Sequence, residues 1–140
     1  MIHQATSRIA EFFKSREIKY TIEETEGSSF VKVIFKTNSI AALSVLFIST
    51  DEDNDAALRV YDLVMVPQAR QQSVMNAINE VNNAFRYAKF VLNLKDSTIQ
   101  MHMDFPMKTT DVGETAMELM SRTLDIAEKA YPTLMQAVWG

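Results

Sequence analysis

Few residues in this 140-residue chain have side chains that could do chemistry, and each can be weighed singly. There are two histidines, His3 and His102. His102 lies two residues from Gln100 and two from Asp104, within a segment that alternates polar and apolar residues. Alternation puts the three on one side of a strand, where a histidine beside a carboxylate could act as a general base. Such a trio is also what the wet face of a sheet carries, and that reading is preferred. His3 is expected near a frayed end. Asp51-Glu52-Asp53-Asn54-Asp55 places acidic residues at the first, third and fifth positions of a calcium-loop pattern, with Asp62 at the twelfth. Ala56 stands where that loop needs glycine, and the flanks read as strands, so the segment is expected to be a solvated turn. Glu114 and Glu118 lie one helical turn apart and could pair as acid and base, but they suit the first turn of a helix better.

What is missing narrows the chemistry further. With no cysteine and two histidines, a zinc-type cluster has no ligands. The three glycines, Gly27, Gly113 and Gly140, are too dispersed for a phosphate-cradling loop, and no Gly-x-Ser-x-Gly turn occurs. No catalytic, metal or cofactor-binding residue is therefore assigned. The expectation is a protein that is not an enzyme and needs no cofactor.

The elements that must position these residues follow from periodicity. Ile9, Phe12 and Phe13, with Ala5 one turn earlier, mark a helix from about Gln4 to Arg16. Ile18, Tyr20 and Ile22 alternate with Lys19, Thr21 and Glu23, as in a half-buried strand, and Glu26-Gly27-Ser28 turns the chain. A second strand spans Ser29 to Lys36. A third spans Ala41 to Ser49, with Leu43, Val45 and Phe47 on one face and Leu46 and Ile48 on the other. A fourth runs from Leu58 to Val66 and stops at Pro67. Val74, Ile78, Val81 and Phe85, widened by Met75 and Ala77, mark a second helix. A hairpin follows. Phe90, Leu92 and Leu94 alternate in its first strand, and Ile99, Met101, Met103 and Phe105 in its second, whose other face should meet water. Asp111 and Glu114 stand at N-cap spacing ahead of a long final helix striped by Met117, Met120, Leu124, Ala127, Tyr131, Leu134 and Val138. Pro132 predicts a kink or break near Tyr131. The fold class is thus α+β, a single domain over 1–140, with an antiparallel sheet and helices in the order α-ββββ-α-ββ-α.

Composition bounds the partners. The net charge is −4 and the basic residues are scattered, which argues against nucleic acid. No apolar run approaches the ~20 residues that cross a bilayer, and the start of the chain lacks a signal-peptide core, so a cytoplasmic, membrane-free protein is expected. Two groups of residues suggest a surface for a partner or ligand. Ile34, Leu46, Ile48 and Val91 are apolar on the outward side of their strands. Most of the nine methionines fall on core-facing stripes and are expected to fill the core, but Met101, Met103, Met117 and Met120 could form a pliable patch, with Tyr131 beside them.

The second half of the chain resembles the YbjN-like family of small bacterial proteins. The likeness is carried by Asn82, Arg86, Ala88 and Phe90, by Tyr131, Pro132, Leu134 and Met135, and by the acidic turn Asp51 to Asp55. It covers roughly Phe30 to Trp139. The resemblance implies a fold similar to type III secretion chaperones, one that often dimerises. It also implies the label of sensory-transduction regulator, which has no established biochemical activity attached. The function expected is a non-enzymatic protein-interaction module, chaperone-like or regulatory, forming a homodimer and binding a partner polypeptide. The alternative is a small-ligand sensor with a methionine-lined pocket between the last helix and the sheet.

Overall fold

The computed structural model describes residues 1–50, 55–108 and 111–140. The calcium-loop reading of Asp51 to Asp55 rests almost wholly on residues outside that set. Three α-helices and six strands follow in the expected order: α1 (Gln4–Ser15), β1 (Thr21–Thr25), β2 (Ser28–Phe35), β3 (Leu43–Ser49), β4 (Asp55–Met65), α2 (Gln71–Ala84), β5 (Lys89–Asn93), β6 (Thr98–Pro106) and α3 (Val112–Trp139). A single 3₁₀ turn, Gln68–Arg70, links Pro67 to α2. The strands form one antiparallel sheet in the order β1-β2-β3-β4-β6-β5.

Alternation within the strands gives the sheet two unlike faces. Val31, Val33, Val45, Phe47, Leu58, Val60, Met101, Met103 and Phe90 point inward and are buried with Ile9 and Phe13 of α1, Val74 and Val81 of α2, and Ala127 and Leu134 of α3. Edge-on aromatic contacts join Phe13 to Phe47 at 5.5 Å and Phe47 to Phe105 at 6.4 Å between ring centres. The core lies between this inner face and the helices.

Several local expectations are corrected. His3 is buried rather than frayed: its backbone N–H donates to Ser29 Oγ at 3.0 Å, and its Nδ1 lies 3.2 Å from the same oxygen. Thr6 Oγ1 is 2.8 Å from Ser29 Oγ, so the start of α1 is tied to β2 through one hydroxyl. At the other end of α1, Glu17 takes φ 60°, Glu17 N–H donates to Lys14 O and Ile18 N–H to Phe13 O. That is a Schellman cap with glutamate where glycine is usual, and it redirects the chain so that β1 begins at Thr21 rather than Ile18. In β4 the register shifts between Val60 and Val64, with Asp62 at φ 54°, so Leu63 and Val64 are both buried and alternation fails. Phe85 lies just past α2 in an extended conformation, and Met75 is exposed instead of widening the buried stripe.

Thr98 and Gln100, expected to meet water, are buried. Of the kink or break expected near Tyr131, the break does not occur: α3 continues through Pro132, from Val112 to Trp139. Ala130, Leu134, Ala137 and Val138 are buried on either side of the proline, and this burial offsets its missing hydrogen bond. The expected N-cap is present, since Glu114 N–H donates to Asp111 Oδ1. Gly113 lets α3 begin directly over α1: a Cβ there would stand 2.6 Å from Phe12 Cβ.

Candidate functional site

The core leaves the outer face of the sheet unused. Cross-strand register places its residues in rows. Glu23, Phe30, Ile48, Ala57 and Asp104 form one row; Thr21, Lys32, Leu46, Arg59, His102 and Lys89 form the next. Ile34 sits opposite Ser44, and Val91 opposite Gln100. Among the described residues no helix packs on this side. Phe30, Leu46, Ile48 and Val91 are partly exposed, Ile34 is 61% exposed and Tyr61 41%. None of them belongs to the cluster that holds the core together. A shallow groove of about 460 Å³ lies on this face, lined by Phe30, Ser44, Leu46 and Tyr61 among others.

The charged row on this face pairs its groups in a way the sequence did not anticipate. Arg59 Nη1 holds Asp104 Oδ1 at 2.6 Å, which takes up the carboxylate that His102 would need as a base. His102 instead has Nε2 2.9 Å from Gln100 Oε1. Partial burial, then the neighbouring Arg59 and Lys89 cations, lower the His102 pKa, while Asp104 acts in the opposite sense and is outweighed. Glu118 pairs with Arg122 at 3.0 Å on the surface of α3. Among the described residues no group of three or more His, Asp or Glu side chains could hold a metal.

The residues proposed from sequence as a surface fall into two sets. Ile34, Leu46, Ile48 and Val91 come together on the open face. Met101, Met103 and Met120 are buried in the core, while Met117 and Tyr131 are half-buried on the flank of α3. Met117 borders a groove of about 540 Å³ with Phe12, Arg16 and Arg122, on the helical side of the molecule. Phe30 and Tyr61 were missed. Phe30 could have been found, because it shares the period of Lys32 and Ile34 on β2. Tyr61 could not, because the shift in β4 hides its face.

The two edges of the sheet also differ. On β5, the Asn82 side chain accepts from Phe90 N–H at 2.8 Å and donates to Phe90 O at 3.0 Å, standing in for a seventh strand. On β1 every residue is exposed. Beside it, a groove of about 720 Å³ opens where the β1–β2 ladder stops at Thr21 and Lys32 while β2 continues along β3 to Phe35. Ile18, Tyr20 and Ile34 give the groove its apolar lining, and Lys14, Lys19 and Lys32 border it.

Comparison with known proteins yields no matching family model and no matching curated protein. No helix is long and apolar enough to cross a membrane.

Proposed function

We propose that this chain is a non-enzymatic protein-interaction module, chaperone-like or regulatory, that works as a cytoplasmic homodimer and binds a partner polypeptide on the open face of its sheet. The observation that carries this reading is the uncovered apolar surface of Phe30, Ile34, Leu46, Ile48 and Val91, which lies outside the core cluster. Antiparallel sheets tolerate one wet face, but such a face ordinarily alternates apolar-in with polar-out. Here Phe30, Ile34, Leu46, Ile48 and Val91, half of the outward residues of β2, β3 and β5, are apolar, which favours contact with another apolar surface. The likeness to the YbjN-like family agrees with this reading and suggests the chaperone-like or regulatory role.

The test is capture of partners from a native-host lysate by the wild-type chain and by Leu46→Asp and Ile48→Asp variants. A polypeptide retained by the wild type and lost by both variants supports the open face as the binding surface. Identical recovery by all three, with the variants folded by circular dichroism, ends the reading. Light scattering of the purified chain tests the homodimer.

A further inference from the structure

We propose that two copies of this chain join edge to edge through β1, antiparallel about a two-fold axis at Thr21, to form one continuous sheet. The inference rests on reading the chain as a self-associating module, and it names the surface that self-association uses.

Three observations lead to it. First, Asn82 occupies the backbone groups of Phe90 on β5, whereas every residue of β1 is exposed, so among the described residues β1 is the more open edge for strand addition. Second, the alternation of Ile18, Tyr20 and Ile22 is longer than the strand the single chain forms, which begins at Thr21. Residues 18–20 have strand-like sequence without a ladder partner. Third, the segment from Lys19 to Glu23 is complementary to itself. A two-fold axis through Thr21 sets Thr21 opposite Thr21, Tyr20 opposite Ile22, and Lys19 opposite Glu23 of the second copy, with both charge pairs on the outer face.

Other registers lose this match. An axis through Glu23 sets that carboxylate against its own copy, and an axis through Ile22 leaves Lys19 opposite Thr25. Glu23 and Glu24 thus repel strands of arbitrary sequence, while Lys19 admits a second copy of this one. Ile22, 38% exposed on the helix-side face, gains the ring of Tyr20 from the second copy as cover. The pairing also joins the two open faces into a single surface of double width.

Because the chain has no cysteine, the axis can be tested with one substitution. Thr21→Cys places two thiols directly opposite each other, whereas Glu24→Cys places them three residues from the axis. Under mild oxidation, Thr21→Cys is expected to form a disulfide-linked dimer at least roughly tenfold faster than Glu24→Cys, since cross-linking demands closely opposed Cβ atoms. Sedimentation supplies the second arm. Lys19→Glu or Glu23→Lys alone turns two attractive pairs into repulsive ones and should weaken dimerisation roughly tenfold. The double variant should restore it, as should mixing the two single variants. Equal cross-linking rates, or a wild-type dimer indifferent to both single reversals, overturn the β1 interface and leave self-association through another surface. A wild-type chain that stays monomeric up to sub-millimolar concentration overturns the interface and the homodimer together.

Discussion

Glu128 shows how one side chain can fix a loop. Its carboxylate accepts Thr37 Oγ1 at 2.6 Å, Ser39 Oγ at 2.7 Å and Ser39 N–H at 3.2 Å, binding the β2–β3 connection to α3. The hydrogen bond from Thr37, then that from the Ser39 hydroxyl, lowers its pKa below the usual carboxylate range. A lowered carboxylate pKa stabilises the fold at all pH values above the unfolded pKa, and that stability is lost as pH falls through the folded one. Glu128→Gln should therefore flatten the acid limb of the stability curve, measured as melting temperature between about pH 6 and about pH 3. An unchanged limb would mean that Glu128 is not the linked group. Thr123 has the opposite character: its Oγ1 is buried in α3 and, among the described residues, has no hydrogen-bond partner. Thr123→Val keeps the shape and removes the stranded hydroxyl, so stability should hold or rise by about 1 kcal/mol in urea denaturation. A loss of that size would show that the hydroxyl has a partner in solution.

At the scale of elements, the strongest constraints are closures between neighbours. Asn82 on α2 satisfies both backbone groups of Phe90 on β5, which gives a physical reason for asparagine at this place in the Asn82–Phe90 run. Asn82→Ala leaves a donor and an acceptor unpaired at a half-buried edge. It should cost about 1–3 kcal/mol and open a second edge to aggregation, read by denaturant unfolding and by light scattering. No change in either would argue that water replaces the amide at no cost. Gly113 fixes the approach of α3 to α1, and Gly113→Ala drives a methyl into Phe12 near its Cβ, an atom that cannot swing aside. The expected loss is about 1–3 kcal/mol. In a double-mutant cycle, Phe12→Ala should shrink the penalty of Gly113→Ala, because it removes the ring carbons that a new methyl would meet at 2.7 and 2.9 Å and leaves only the contact at Cβ.

Across the whole molecule, the sheet is protected unequally. β3, β4 and β6 lie inside it, with their inward residues almost wholly buried, while β1 is paired on one side and exposed along its length. Native-state hydrogen exchange should show the paired amides of β4 and β6 opening near the global unfolding free energy, and those of β1 opening well below it. If two copies pair through β1, its amides should slow as protein concentration rises. Uniform protection across the sheet would contradict the placement of β1 at an open edge.

The sequence by itself determined the class of fold and the order of its elements. Periods of two and of about 3.6 residues are local properties, imposed by which faces must be buried, and they survive without knowledge of what lies opposite. It also located Ile34, Leu46, Ile48 and Val91, because an apolar residue on the outward phase of a strand can be read from alternation. Only the tertiary structure decided the rest. The buried stripe of α3 includes Ala116, Thr123 and Ala130, because α1 and α2 flank it and leave room for small side chains; Met117 and Tyr131 therefore fall on its edge. Burial of His3 depended on a serine twenty-six residues away, and the pairing of Asp104 on an arginine forty-five residues away. The unequal edges of the sheet arise from a helix side chain bonding Phe90 on β5 while every residue of β1 stays exposed. Such outcomes depend on which elements become neighbours, and local patterning carries no record of that.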